Sequence, residues 1–514
     1  MSDNTQRYAY PDLLDPDYVF DALLGYGMFS EKLPPCFTSE SFLEALNNGK
    51  MPIAKKKSHS YVDYRASRNT NVPRAISIPH PESYLWLCQC IKKNWDKINL
   101  HNGKADKFNY CHVRKIEGEK HIFEMNYQGT DKWSVEEKDI DLMLGCRFVV
   151  QADIAKCFPS IYSHSIPWAL EGKEEGKGKR TNDCNNCPNC GENWSNGLDK
   201  VSRSIKDDET NGMLIGPHTS NILSEIILTA VDRSIQEKGW KKVVRHIDDF
   251  VFYAKDEREA KDFLFDLHNS LKEYELELNA KKTKVTAFAD YLHSQWVSKL
   301  GQFIFPERDE IGFTSIRSFI MYAVRLARKE ENSAIIYYAI KMVAKKTLSD
   351  RAKRLYVNLV LQLTMEMPYL VPLIEEHVLL PHCTFVEECL GKYLPLLLEI
   401  SILNLSTDSI AYVFYFALKY GIDIDVSEEQ EEKIANMFDC VSMLLAYKFL
   451  EANACEAPKI QEAIECINNG SSRTKDKFWL LLYETGKLND NDFLQKMNKN
   501  DISFIKADYG RGEK

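Results

Sequence analysis

Three aspartates carry the strongest chemical signal in the chain. Asp153 closes the apolar run FVVQAD, and Asp248 and Asp249 stand between two β-branched and aromatic runs in KVVRHIDDFVFYA. Runs of that composition predict strands, so the pattern is strand–Asp followed by strand–AspAsp–strand. In two-metal phosphoryl transfer, divalent ions roughly 3.5 to 4 Å apart bridge the attacking and leaving oxygens. Hard cations such as Mg²⁺ or Mn²⁺ are held there by a few carboxylates together with substrate phosphates. Adjacent strand ends can supply such carboxylates. A lone aspartate at a strand end is more often a turn residue, so the signal lies in the ordered combination.

The elements that must position these residues follow from periodicity. ESYLWLCQCIKKNWDKI places Tyr84, Leu87, Cys88 and Ile91 at helical spacing, and a shorter helix is expected after Ser39, ended by Gly49. Helices alternating with strands predict an α/β sheet domain over residues 56–300, preceded by a Pro-punctuated N-terminal segment, 1–55. Beyond residue 300 the texture changes. RSFIMYAVRLARKEENSAIIYYAIKMVAKK, RLYVNLVLQLTMEM, SIAYVFYFALKYG and NMFDCVSMLLAYKFLEAN are apolar at i, i+3, i+4 and i+7. Residues 301–514 are therefore expected to be all-helical. An irregular HEAT-like solenoid fits successive helical hairpins, with a compact bundle as the alternative.

Composition bounds the function. The chain has 514 residues, 44% hydrophobic and 27% charged, which predicts an ordinary globular protein of two or three domains. Lys plus Arg number 66 against 75 Asp plus Glu, a net charge of −9. An acidic total limits how much phosphate backbone the protein can hold nonspecifically, unless a basic cleft sits inside an acidic whole. No stretch is long and apolar enough to span a membrane, and MSDNTQRYAYPDLLDPD lacks the features of a signal peptide, so a cytoplasmic location with no membrane partner is expected. The 14 cysteines then read as reduced thiols. Within TNDCNNCPNCGENW, Cys184, Cys187 and Cys190 have the tight-turn spacing of a structural Zn²⁺ site, one ligand short. The alternative is an Asn-rich insertion with free thiols.

Residues 60–290 resemble the fingers and palm of a reverse transcriptase, with its motifs in the usual order. RNTNVPRAISIPHPESYLWL matches the fingers, ADIAKCFPSI motif A, NGMLIGPHTSNILSEIIL motif B, HIDD motif C and LELNAKKTKV motif D. The expected fold is thus an α/β reverse-transcriptase palm and fingers followed by an all-α HEAT-like domain. The resemblance implies that Asp153, Asp248 and Asp249 bind Mg²⁺ or Mn²⁺ and that Arg68 and Arg74 hold the incoming triphosphate, for which a planar guanidinium suits. Phe158 stands where such enzymes keep an aromatic gate against a 2′-hydroxyl, which implies dNTP substrates. Asn211 and Gly212 would contact the nucleotide, with Gly216 and Pro217 nearby, and Lys282 is a candidate general acid for pyrophosphate departure. Two departures stand out: His246 replaces the aromatic residue usual in motif C, and Asn211 replaces the Gln usual in motif B.

The stretches IYSHSIPWALEGKEEGKGKR and NGLDKVSRSIKDDETNG, followed by the long helical half, resemble the abortive-infection reverse transcriptases of the AbiK type. That resemblance implies an antiphage polymerase of the bacterial host cell. It would synthesise DNA from dNTPs without a template, attach the product covalently to its own tyrosine and form homo-oligomers. A tyrosine on a mobile segment fits such priming. Tyr8 is the favoured candidate, with Tyr10, Tyr18 and Tyr26 behind it. The alternatives are a templated reverse transcriptase copying a bound noncoding RNA, and an inactive palm serving as a scaffold.

Overall fold

A computed structural model describes residues 14–51, 57–69, 72–103, 113, 120, 141–178, 193–293, 296–306, 309–487, 492–506 and 509. Two sheets occupy the first part of the chain. Strands β1 (Tyr61–Ala66) and β2 (Arg74–Pro79) form an antiparallel hairpin in register Tyr61↔Pro79. The second sheet has β3 (Phe148–Asp153), β4 (Val243–His246), β5 (Asp249–Ala254) and β6 (Lys284–Ala287) in the order β4-β5-β3-β6, with every pairing antiparallel. The strands expected around the aspartates are thus present, and β4 and β5 are joined by a two-residue turn at Ile247 and Asp248.

Helices α1 (Pro16–Tyr26), α2 (Glu40–Asn47), α3 (Pro81–Lys93), α4 (Trp95–Asn102), α5 (Ser165–Glu171), α6 (Trp194–Ser204), α7 (His218–Glu237) and α8 (Glu257–Lys272) surround these sheets. The helix expected after Ser39 is α2, and Gly49, at φ +67°, follows its end. Helix α7 is buried over most of its length because from Ile222 to Val231 every residue but Glu225 is apolar or small. Helix α8 lays Phe263 against Phe252 of β5, ring centroids 4.3 Å apart, and Trp240 packs edge-on against both.

After β6 the described residues form helices and no further sheet, as periodicity predicts. Helices α9 (Phe313–Lys329), α10 (Ala334–Ala344), α11 (Asp350–Glu366), α12 (Val386–Leu403), α13 (Thr407–Tyr420) and α14 (Cys440–Ala452) bury the expected apolar stripes. A 3₁₀ turn (Pro368–Leu373), a π turn (Glu375–Leu379) and Pro395 inside α12 interrupt any regular repeat. The chain then returns to its beginning. Phe37 and Ile505 form an antiparallel bridge, the Thr38 amide donates to the Phe504 carbonyl at 2.9 Å, and Ser41 Oγ donates to the Ser503 carbonyl at 2.6 Å. One large apolar cluster accordingly runs from Val19 to Phe504, and a smaller one gathers Val149, Val244 and Tyr253 on the β3–β6 sheet. Among the described residues, no helix is long and apolar enough to cross a membrane.

A buried histidine fastens the two halves. His59, fully buried, holds Asp476 on Nδ1 at 3.2 Å and Glu82 on Nε2 at 3.1 Å. Its ring stacks on His80 at 3.7 Å with the planes only 9° apart. His59, His80 and Asp476 place candidate ligand atoms within 4.8 Å of one another. Parallel rings send their in-plane lone pairs past each other, however, so this cluster is a clasp rather than a metal cage. Burial opposes a charge on His59, but the hydrogen bonds to Asp476 and Glu82 outweigh it and its pKa is raised. Burial, with His59 beside it, pushes His80 well down. A raised histidine pKa contributes stability that is complete below its unfolded value, about 6.5, and is lost as pH rises through the folded value. Thermal melting between about pH 6 and pH 9 should show wild-type protein losing stability on the alkaline side, and His59→Gln should flatten that loss. An identical pH dependence in the two proteins would refute the clasp.

Candidate active site

The antiparallel pairing of β3 with β5 brings the carboxylates together. Asp153, the last residue of β3, is the register partner of Asp249, the first residue of β5. Asp248 precedes it in the turn, and its carbonyl accepts from the Ile154 amide at 3.2 Å, tying the turn to the end of β3. Ile247 adopts φ +56° to make this corner, a conformation costly for a β-branched residue. All three aspartates singled out by sequence are thereby convergent.

Their electrostatics show what the arrangement lacks. Burial, with the neighbouring charges of Asp248 and Asp153, lifts Asp249 to about 6, and burial also raises Asp248. Like-charged carboxylates at a strand crossing resist ionising together unless a cation joins them. Lys282 Nζ sits 2.6 Å from Asp153 Oδ1, and Asn279 Nδ2 donates to Asp153 Oδ2 at 2.9 Å. Lys282 and the more distant Arg74 against three carboxylates still leave a surplus of negative charge with oxygen donors only, the donor set of a hard divalent cation. The residues therefore fit Mg²⁺ or Mn²⁺.

The motif A segment turns sharply after Asp153. Lys156 has φ +47°, and the helical turn Cys157–Ser160 carries Phe158, which packs against the apolar core. The Phe158 carbonyl accepts from the Met213 amide at 2.8 Å, and the Ile161 carbonyl from the Gly212 amide at 2.7 Å. Gly212 has φ +80°, and a Cβ there would stand 2.9 Å from the Pro159 carbonyl oxygen, so glycine is required for this approach. Asn211 is exposed, bridges Tyr162 across the same junction, and its carbonyl takes a hydrogen bond from Lys206. Phe158, Asn211 and Gly212 thus belong to one locally bonded unit. Gly216 lies against β2, and the Ser77 amide donates to the Ile215 carbonyl at 2.7 Å.

Arg74 begins β2 and Arg68 lies in the loop before it. Burial lowers the Arg74 pKa, helped by the neighbouring Arg68, while Asp248 acts in the opposite direction. Arg68 and Asp248 therefore both act on the charge of Arg74. Tyr18 lies on α1 and packs against the core, and Tyr26 ends that helix. Tyr8, Tyr10 and Cys184, Cys187 and Cys190 lie outside the described residues.

Two supporting residues escape a sequence reading. Asn279 is one; it stands three residues before Lys282, and only the fold reveals that it touches Asp153. Arg245 is the other. Its fully buried guanidinium donates from Nε to Asp232 at 2.9 and 3.0 Å, from Nη1 and Nη2 to Glu225 at 3.1 and 2.7 Å, and from Nη1 to the Ile247 carbonyl at 2.9 Å. Burial lifts Asp232 to about 6, but both its oxygens accept from the guanidinium, so the carboxylate is the form present at neutral pH. The available signal was an arginine inside the apolar strand VVRH, immediately before the aspartate turn.

Residues 86–317 match the family model described as reverse transcriptase (RNA-dependent DNA polymerase). No curated protein matches the chain. Similar solved structures include apo telomerase from Candida tropicalis, at 11% identity over 86% of this chain and 76% of that one, with a TM-score of 0.32. Telomerase from Candida albicans in complex with a TWJ fragment of telomeric RNA is another, at 13% identity over 88% of this chain and 70% of that one, with a TM-score of 0.30.

Arg245→Ala should destabilise the protein by about 3–5 kcal/mol, the cost of leaving two buried carboxylates unpaired. Denaturant unfolding measures it. A loss below about 1 kcal/mol, the ordinary range for a surface pair, would show that water reaches Asp232 and Glu225.

Proposed function

Taking residues 86–317 as a reverse-transcriptase domain, we propose that this chain polymerises deoxynucleotides without copying a template and starts each strand on a tyrosine of its own, as an antiphage abortive-infection enzyme of the bacterial cytoplasm. The convergence of Asp153, Asp248 and Asp249 at the β3–β5 crossing carries the polymerase part of this reading. Divalent cations held there would stabilise charge on the phosphoryl oxygens. Arg68 and Arg74 bind the triphosphate, Phe158 rejects the 2′-hydroxyl, Asn211 and Gly212 border the nucleotide, and Lys282 gives a proton to the departing pyrophosphate.

Support for a tyrosine primer comes from where the N-terminal segment sits. The His218 amide, at the start of α7, donates to the Gly27 carbonyl at 2.8 Å, and Ser30 adjoins Gly216. The segment that follows α1, from Gly27 to Ser30, is therefore held beside the motif B loop. Helix α1 is about 16 Å long, and the six residues from Leu14 back to Tyr8 reach up to about 20 Å. Fully extended, that stretch exceeds the length of α1, enough to carry Tyr8 back towards the motif B loop. A homo-oligomer, and Zn²⁺ at Cys184, Cys187 and Cys190, complete the reading.

Purified protein given dNTPs with Mg²⁺ or Mn²⁺ and no nucleic acid should make DNA whose mobility changes on protease treatment, and mass spectrometry should find the adduct on Tyr8. Asp248→Asn should make none while melting normally. Product that requires an added or copurified RNA would overturn template independence, and no product under any metal condition would overturn the whole reading. Phe158→Ala should lower discrimination against ribonucleotides by about 10²-fold, the scale set by one steric contact. Unchanged discrimination would remove Phe158 from the gate.

A further inference from the structure

The acidic chain contains a long basic stretch beyond the sheet region. Residues 313–355 hold ten Lys and Arg against three Asp and Glu, in a protein of net charge −9. On α9, Arg317, Met321, Arg325 and Arg328 are spaced by four, four and three residues, so they share one side of the helix, and all four are exposed. The opposite side buries Ile316, Phe319, Ile320 and Ala323. The helix dipole accounts for cations in its last turn, such as Arg328 and Lys329, but disfavours Arg317 near its start. Glu330 is engaged by Lys299 at 2.9 Å and Asp350 by Lys353 at 3.3 Å, so the acidic residues of the stretch leave its positive surplus standing.

The stripe continues at both ends. At its start, the Ile311 amide donates to the Thr347 carbonyl at 2.9 Å and the Ser349 amide to the Ile311 carbonyl at 3.1 Å. This pairing sets the turn after α10, with exposed Lys345 and Lys346, beside the first residue of α9. Arg351 lies over the ring of Phe313, itself 37% exposed, and Lys346 lies over Phe305. At its other end, Ser333 Oγ donates to the Asn69 carbonyl at 3.0 Å, next to Arg68 of the fingers. Helix α9, about 25 Å long, thus spans from the region following the palm to the fingers loop.

We propose that Arg317, Arg325 and Arg328, continued by Lys345, Lys346 and Arg351, form a track for the phosphate backbone of a single-stranded nucleic acid leaving or entering the palm. Interspersed cations and an exposed aromatic ring suit a flexible single strand, whose bases can stack while its phosphates are neutralised. The inference rests on reading the palm as a polymerase, but its test does not require synthesis.

Full-length protein in chelator is titrated against a fluorescent oligothymidylate of about 30 nucleotides, between about 50 and 200 mM salt. Each neutralised phosphate on a single strand contributes about 0.7 to the logarithmic salt slope, so six contacts predict a slope near −4. The variant R317E/R325E/R328E should bind at least about 10-fold more weakly at the midpoint and lose about 2 from the slope. K255E/R258E/K261E, the same charge change at exposed positions just before and within the start of α8, should bind as wild type does, and both variants should melt normally. Equal weakening by the two variants, or none by the first, overturns the track. So does tighter binding of a duplex than of the single strand. Oligouridylate in a parallel arm assigns the strand to RNA or DNA. If binding behaves as expected while no DNA is made from dNTPs, the proposed function fails and the track survives.

Discussion

A guanidinium cut off from water holds the aspartate corner in place. Three carboxylates at one strand crossing repel each other, and burial has already raised two of them. The β3–β5 register sets their positions, but a two-residue turn with a left-handed Ile247 would relax if nothing held it. Arg245 does so by reaching from β4 to the Ile247 carbonyl while Asp232 and Glu225 of α7 neutralise it. Burying three ions costs several kcal/mol each in desolvation. Such an arrangement is sustained by geometry: the fork's donors reach both carboxylates and the turn. Since α7 begins at His218, directly after the Gly212–Pro217 segment, that segment and the aspartate turn are both anchored on one helix.

The β1–β2 hairpin depends on the helical half for a similar physical reason. A two-stranded hairpin is marginal by itself, and β1 gains its stability from packing against α13, α14 and the helix Trp479–Glu484. The loop that presents Arg68 is bracketed from that side. Buried Asp408, in the first turn of α13, accepts from the Ser67 amide at 2.7 Å and from Ser67 Oγ at 3.0 Å, and Ser333 grips Asn69. With the His59 clasp and the Phe37–Ile505 bridge, these contacts make the second half a structural part of the site.

Local pattern made the strands legible, because the runs before Asp153 and on either side of Asp248 and Asp249 are β-branched and apolar. The helices beyond residue 300 were legible through their 3.6-residue period. What periodicity does not encode is where a helical half docks, since an apolar stripe records that a face is buried without recording its partner. Irregular 3₁₀ and π turns and the return of Phe504 to the N-terminal segment arise from such long-range contacts. Asn279 and Arg245 were hidden for the same reason: their partners lie 126, 20 and 13 residues away in sequence. Net charge misleads in a related way, because a total of −9 averages over the basic stretch at 313–355.

Lys282 joins the electrostatic problem to the chemical one. Its ammonium rests on Asp153, yet its side chain is 64% exposed, so little packing holds it there. It is a provisional counter-charge, strong enough to keep Asp153 in place at a crowded crossing. Divalent cations binding the same carboxylates would compete with the ammonium for Asp153 and repel it. A long, exposed side chain on the segment leading into β6 can then swing towards other anions, and the bound triphosphate is the nearest one the proposed reaction supplies. In the proposed reaction, position and exposure together would let one lysine offset the negative charge of the crossing and then give a proton to the departing pyrophosphate.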